Sequence, residues 1–272
     1  MRILAWGQTD VGMKRDHNED SFLIREDLGL CVVADGMGGH AGGELASSIA
    51  VRTIEDGVLA ARKVLEDAEK FDGPIENSPV AKLIAESVQK ACFNIFSKAQ
   101  ERRELQGMGT TTIGFLAHGK HVFIAHVGDS RAYLMREGRI LQLSEDHTLV
   151  NEQHRAGLIT EQQAKQSRFK NNITRSVGFE ETVAVDVIAV EARQGDCYLL
   201  CSDGLSNLVK DEEINEITGE NFLRQAPELL IDLANKRGGD DNSTVVIAYV
   251  DSLEDPPTPA ETRISSQASP QA

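Results

Sequence analysis

Residues 30–36 read Leu-Cys-Val-Val-Ala-Asp-Gly, a run of consecutive apolar residues that ends in an acid and a glycine. Two further apolar runs also end in an acid: residues 125–130, AHVGDS, where Asp129 is followed by Ser130, and residues 198–204, YLLCSDG, where Asp203 is again followed by a glycine. Consecutive apolar residues over so short a length are typical of strands that are covered on both faces. The three segments predict a layered sheet structure in which Asp35, Asp129 and Asp203 each follow a buried strand.

Apolar spacing along the rest of the chain predicts the other elements. Residues three or four apart form an apolar stripe over 46–65 and another over about 80–100, so each stretch is expected to be a long helix. A third helix is expected in residues 228–239. Because strands and helices do not alternate regularly, the order favours an antiparallel α+β sandwich over a doubly wound fold. Strands are predicted at residues 21–26, 28–34, 109–117, 121–127, 132–137, 139–144, 182–190, 196–201 and 243–250.

Composition restricts the function classes and the domain organisation. The formal charge of −15 disfavours binding to nucleic acid or to an anionic membrane. Apolar runs are too short to span a bilayer and no signal-peptide core follows Met1, so a cytoplasmic protein is expected. The four cysteines lack zinc-finger spacing and are expected to be buried thiols. Residues 1–251 are predicted to form one domain, and residues 252–272, rich in Pro, Ser, Thr and Ala, a disordered tail.

The acids that follow the strands indicate a metal site. If the strands are neighbours, Asp35, Asp129, Asp203 and Asp241 gather at one edge of the sheets, and crowded carboxylates need a compensating cation to stay ionised. An all-oxygen ligand set suits Mg²⁺ or Mn²⁺ rather than zinc. Gly36 has no side chain, so its carbonyl could approach an ion closely. A single Asp-Gly after a strand is usually a turn, and the metal site rests on the recurrence.

Two other features of the sequence allow more than one interpretation. Gly36, Gly38 and Ala41 fit a loose dinucleotide-binding pattern, but the strand before them ends in a charged acid, and nucleotide binding is disfavoured. Arg15 lies in a charged stretch, VGMKRDHNEDSF, and such a stretch is usually a surface turn. Its guanidinium, however, has the geometry to bind two oxygens of a phosphate.

Taken together, the motifs carry a resemblance that covers about residues 6 to 250. In order along the chain they are GMKRDHNEDSF, VADGMGGHAGGELAS, GTTTI, HVGDSRAYL, LSEDHTLV, ITRSVG, LLCSDGLSNLV and GGDDNSTVVI. The chain resembles the metal-dependent serine/threonine protein phosphatases of type 2C, in their compact bacterial form. The resemblance implies a four-layer α-β-β-α sandwich, with two central antiparallel β-sheets flanked by helix pairs.

The resemblance also implies a role for each acid of the predicted metal site. Asp35 would bridge two Mn²⁺ or Mg²⁺ ions, with the Gly36 carbonyl on one ion and Asp203 and Asp241 on the other. Asp129 would bind a third, weaker metal together with Asp203.

Further roles follow from the same resemblance. Glu19 and Asp20 would act through metal-bound waters, and Arg15 would hold the substrate phosphate. Water activated between the two ions would displace the seryl or threonyl oxygen directly, without a phosphoenzyme. Some eukaryotic members have a histidine where this chain has Met37, so the proton donor is open between His40 and a water on the third metal.

The resemblance does not identify the physiological substrate. Residues 147–175 match a variable flap beside the active site, which is expected to be mobile and to influence substrate choice. Phosphoprotein substrates are expected, including a Ser/Thr protein kinase, and a monomer is expected. Two further hypotheses are a catalytically inactive relative that binds phosphoproteins and a phosphatase devoted to one regulatory phosphoprotein. Inactive relatives usually lack a metal ligand, whereas Asp35, Asp203 and Asp241 are all present.

Overall fold

Strands supply much of the interior of the chain, whose computed structural model describes residues 1–68, 71, 73–169 and 171–254, without the side chains of residues 40, 41 and 165. The expected tail of residues 252–272 lies outside the described residues from residue 255 onward. The strands are β1 (Arg2–Asp10), β2 (Asp20–Arg25), β3 (Leu30–Met37), β4 (Gly109–Thr110), β5 (Thr112–His118), β6 (His121–Val127), β7 (Arg131–Arg136), β8 (Arg139–Gln142), β9 (Asp186–Glu191), β10 (Cys197–Cys201) and β11 (Ser243–Ser252).

Helices lie between the strands at irregular intervals. The two longest are separated by the stretch around residues 61–78, and Ser78 caps the second of them by accepting a hydrogen bond from the Ala81 amide. The helices are α1 (His40–Ala60), α2 (Arg62–Ala68), α3 (Pro79–Glu101), α4 (Leu149–Arg155), α5 (Glu161–Gln166), α6 (Asp203–Ser206), α7 (Asp211–Glu220) and α8 (Ala226–Lys236).

The strands form two antiparallel sheets. One sheet has the order β1-β11-β10-β7-β8, and the other has the order β2-β3-β5-β6-β9, with β4 paired to β3. A two-residue hairpin turn joins β7 to β8: Arg136 pairs with Arg139, and both turn residues, Glu137 and Gly138, have positive φ. Such a two-residue turn matches the right-handed twist of the strands that it joins. The register of β2 and β3 sets Asp20 opposite Asp35.

Three apolar layers hold the sheets and helices together. The middle layer, between the sheets, includes Phe115 and Tyr198, whose rings lie 5.2 Å apart in an edge-to-face contact. The layer between the β2 sheet and helices α1 and α3 includes Ile54 and Ile84, and the layer between the β1 sheet and helices α7 and α8 includes Ile214. The α+β class and the four-layer α-β-β-α arrangement predicted from the sequence are therefore confirmed.

Some element predictions are wrong at their ends. The helix expected over 46–65 begins at His40 and ends at Ala60, where the Ala61 amide bonds to the Val58 carbonyl and α2 continues in a new segment. The strand expected at 182–190 begins only at Asp186. Strand β1 was not predicted, because its residues mix polar and apolar side chains without regular alternation.

The cysteines lie in the interior, as expected: Cys31, Cys92, Cys197 and Cys201 are all buried and free of disulfides. Burial raises the pKa of the Cys31 thiol above its ordinary range and raises that of Cys201 to about 12. A thiol that stays protonated is a poor nucleophile. Among the described helices, none has the length and apolarity to cross a membrane.

Candidate active site

Five aspartates from both sheets converge at one end of the sandwich. Asp20 begins β2 and faces Asp35 near the end of β3, Asp203 opens α6 directly after β10, and Asp241 lies just before β11. Asp129 lies in the turn between β6 and β7. Burial raises the pKa of Asp35 well above its ordinary value, and the charges of the other four aspartates raise it further. The structure thus brings together the acids that the sequence places far apart.

Asp20 connects the two sheets. Its Oδ2 accepts hydrogen bonds from the Ser202 hydroxyl at 2.8 Å and from the Thr244 hydroxyl at 2.7 Å, both on the opposite sheet. Burial raises the pKa of the Asp20 carboxyl to about 7, although these two hydrogen bonds favour its charged form. The Ser202 hydroxyl also accepts a hydrogen bond from the Thr244 amide at 2.9 Å, which fixes the spacing of the network.

Asp203 and Asp129 are also held in surroundings that disfavour their charge. Burial raises the pKa of Asp203 to about 6, and the charge of Asp241 adds to the rise. The charge of Arg15 opposes the rise, as does the amide of Asn207, which donates to Asp203 Oδ2 at 3.0 Å. Asp129 is only 7% exposed, and burial followed by the charge of Asp203 raises its pKa to about 8. The carboxyl groups of Asp203 and Asp129 therefore lack enough nearby positive charge to favour their ionised forms.

Close backbone packing shapes the loop after Asp35. A Cβ on Gly36 would lie 2.1 Å from the Gly43 carbonyl oxygen, and a Cβ on Gly43 would lie 2.0 Å from Glu19 Oε2. Such distances exclude any side chain at either position. The Asp35 carbonyl accepts a hydrogen bond from the Thr111 amide at 2.8 Å, which anchors the end of β3 to the start of β5. The Glu19 carboxylate therefore sits against the beginning of α1.

Arg15 reaches the acidic cluster from an exposed loop. Its Nη2 donates to Asp241 Oδ2 at 2.6 Å, while the Arg15 side chain is 51% exposed. Asn242 fixes this loop: its Nδ2 donates to the carbonyls of Val11 and His17, each at 2.9 Å, and its Oδ1 accepts from the Glu19 amide at 2.8 Å. The predicted phosphate-binding arginine is thus placed beside the acids with its guanidinium open to solvent.

The oxygens of the cluster fit a divalent cation. Asp20 Oδ1, Asp129 Oδ1 and Asp203 Oδ1 are buried and have no hydrogen-bond partner. A buried carboxylate oxygen without a donor is costly, and a cation would relieve that cost. Among the described residues, no group of three or more His, Cys, Asp or Glu side chains is already placed so that it could hold a metal ion. Hard cations commonly complete their shells with backbone carbonyls and water, so side chains need not supply every ligand.

The candidate proton donor His40 is the first residue of α1, and its side chain lies outside the described residues. The segment predicted to be a flap, residues 147–175, contains α4 and α5. At its base, His147 Nδ1 accepts from the Gly128 amide at 3.1 Å, and His147 Nε2 lies 3.0 Å from Asp186 Oδ2. Arg175 Nη1 donates to the other oxygen of Asp186 at 3.0 Å, so both ends of the segment are tied to β9.

Comparison with known proteins agrees with this geometry. The protein phosphatase 2C family matches residues 13–236 of the chain. The chain belongs to this family. It is 36% identical over 248 residues to the serine/threonine phosphatase Stp of Listeria monocytogenes, and the match covers 90% of this chain and 94% of that protein. The protein is therefore an enzyme, a serine/threonine phosphatase of the 2C type.

Solved structures of 2C phosphatases have the same fold. The Mycobacterium tuberculosis phosphatase PstP superposes with a TM-score of 0.81 at 33% identity, covering 93% of this chain and all of that chain. A catalytic domain of PstP in complex with two manganese ions superposes with a TM-score of 0.76 at 35% identity, covering 92% and 99% of the two chains. Divalent-metal dependence is a property of the 2C family to which this chain belongs.

The sequence reasoning missed several residues that position the site. Asn242, Ser202 and Thr244 organise the Arg15 loop and Asp20, yet none was predicted. The available signal was proximity in the sequence: Asn242 and Thr244 lie in the same GGDDNST stretch as Asp241, and Ser202 lies beside Asp203 in LLCSDGLSNLV. Ser202 lies between the strand predicted at residues 196–201 and Asp203, and it was given no role because a single hydroxyl carries no distinctive pattern.

Proposed function

We propose that the aspartate cluster holds two divalent cations, Mn²⁺ or Mg²⁺, that serve the hydrolysis of phosphoserine and phosphothreonine. Asp35 and the Gly36 carbonyl would hold one ion, and Asp203 and Asp241 would join Asp35 on the other. When bound, such a pair supplies an activated water and neutralises charge on the phosphoryl oxygens. The observation that carries the proposal is the set of three buried carboxylate oxygens that lack any hydrogen-bond donor.

The residues around the aspartate cluster would have different roles in the reaction. The Arg15 guanidinium is exposed and lies on Asp241, so it can turn to a phosphate while remaining beside the acids. Asp20 and Glu19 would complete the outer part of the site through water. Asp129 would bind a third, weaker ion together with Asp203. Because all four cysteines are buried with raised pKa values, they offer no nucleophile, which agrees with direct attack by water.

The proposal extends to the organisation and partners of the chain. Residues 1–251 would form the catalytic domain, with residues 147–175 as a flap that influences substrate choice. Phosphoproteins are the expected substrates, a Ser/Thr protein kinase among them, and the enzyme would act as a monomer. The support for the kinase and for the monomer is the resemblance to the 2C phosphatases.

The deciding experiment compares two neighbouring aspartates. Asp241→Asn should abolish Mn²⁺-dependent hydrolysis of p-nitrophenyl phosphate and weaken Mn²⁺ binding measured by calorimetry. Asp240→Asn makes the same chemical change one residue away, where the side chain is 59% exposed and paired with Lys14, and should retain both properties. Hydrolysis that survives a chelator, or equal losses in both variants, would contradict the proposed metal site.

A further inference from the structure

A groove leads away from the aspartate cluster along the predicted flap. It encloses about 1100 Å³, and Asp129 and Asp203 line the end where it meets the cluster. One wall comes from α4, α5 and Asn171, and the other from residues 206–212, which connect α6 to the start of α7. A phosphoprotein chain that places its phosphate at the cluster could extend along this groove.

Carboxylates dominate the lining of the groove. Seven acidic side chains face two cationic ones, Arg131 and Lys210, whereas the whole chain has 43 acidic and 28 basic residues. Arg131 is already engaged, because its Nε and Nη2 donate to Asp146 and its Nη1 donates to the Tyr133 hydroxyl. The lining therefore repels anionic groups and attracts cationic ones.

Two of the acids that line the groove are not needed to stabilise the start of helix α7. Asp211, Glu212 and Glu213 form the first turn of α7, where acids favour the helix dipole. Glu213 already fills that role, since it accepts from the Lys210 amide at 3.1 Å and forms a two-bond pair with Arg237. Within the described part of the chain, the side chains of Asp211 and Glu212 have no hydrogen bond or ion pair, and both line the groove.

A second observation marks the groove as built for a ligand. Asp129 is more than nine-tenths buried at the end of the groove, and its Oδ1 has no hydrogen-bond partner. With metal ions on Asp129 and Asp203, the negative charge that remains for the substrate chain lies farther along the groove, at Asp211 and Glu212. The groove is thus continuous with the candidate active site rather than a separate surface depression.

We propose that this groove binds the substrate chain next to the phosphorylated serine or threonine and selects lysine and arginine there. The proposal rests on the proposed function, since it names the substrate class of the same site. Exposed ion pairs contribute modestly, so two such contacts should raise kcat/KM by about three- to tenfold at low ionic strength. Because the contacts are exposed, the preference should shrink as salt is added.

The test uses matched phosphopeptides with the full-length enzyme and Mn²⁺. One peptide has lysine on both sides of the phosphothreonine, a second has glutamate, and a third has alanine. We expect the lysine peptide to be favoured over the alanine peptide and the glutamate peptide to be the poorest. Charge reversal in the double variant Asp211→Lys, Glu212→Lys should invert the order, while Glu216→Lys, exposed on the same helix outside the groove, should not.

The readout is the ratio of kcat/KM values for two peptides on one enzyme preparation, which is independent of the folded fraction. Equal kcat/KM for the three peptides, or a preference for glutamate, would overturn the groove proposal and leave the proposed function intact. A preference for lysine that Asp211→Lys, Glu212→Lys does not change would also overturn it. If no phosphate ester is hydrolysed with Mn²⁺ present, the proposed function fails and the groove proposal fails with it.

Discussion

Replacing Asn242 by alanine removes three hydrogen bonds that hold the Arg15 loop against the start of β11. The side chain is 5% exposed, and its partners are the carbonyls of Val11 and His17 and the amide of Glu19, at 2.8 to 2.9 Å. At about 1 kcal/mol for each hydrogen bond, the variant should lose about 3 kcal/mol of unfolding free energy. Urea unfolding in the absence of metal measures this loss.

The same substitution should impair phosphate binding, because Arg15 lies on the loop that Asn242 holds. Loss of a charge-assisted contact of about 1.5 kcal/mol corresponds to a rise in KM on the order of tenfold for p-nitrophenyl phosphate. Asn221→Ala is the matched control: Asn221 is exposed and makes one hydrogen bond within its own segment, to the Ile217 carbonyl. An Asn242→Ala enzyme with wild-type stability and KM, or one no different from Asn221→Ala, would refute the reasoning.

Three further outcomes are expected. Burial and the charge of His147 lower the pKa of His126 to about 4, so His126 should contribute a loss of on the order of 3 kcal/mol of unfolding free energy as pH drops from 6.5 towards 4. The difference in urea-melt stability between the wild type and His126→Gln, compared at the two pH values, measures this contribution apart from that of the aspartates, whose raised pKa values act in the opposite direction. Gly204→Ala places a Cβ 1.9 Å from the Asn242 carbonyl oxygen and should lower the unfolding free energy by more than about 2 kcal/mol. Gly219→Ala, in open space on α7, should instead raise the unfolding free energy by about 0.5 to 1 kcal/mol in the same urea melts. Mn²⁺ at about one hundred times its Kd should raise the unfolding free energy by about 2.7 kcal/mol, and an unchanged Tm after metal addition would contradict binding to the folded state.

Local sequence patterns were sufficient to predict most of the helices and strands. The apolar run of residues 30–34 lies within β3, and the apolar spacing of residues 80–100 matches α3 almost to its ends. Both depend on interactions between residues close in sequence, which periodicity reports directly. The helix expected over 46–65 was wrong at both ends, since the apolar stripe continues into α2 after the backbone has left the first helix.

The sequence alone singled out the acids of the candidate site. Asp35, Asp203 and Asp241 stand in motifs that identify them without coordinates, and the order of those motifs indicated the family. Only the tertiary structure decided how the other groups surround them. Asp20 accepts hydrogen bonds from residues 182 and 224 positions away, and Arg15 meets Asp241 across 226 positions. Such contacts, like the charge of the groove beside Asp129, form only when strands that are distant in sequence pack together. The spacing of residues along the chain therefore does not predict them.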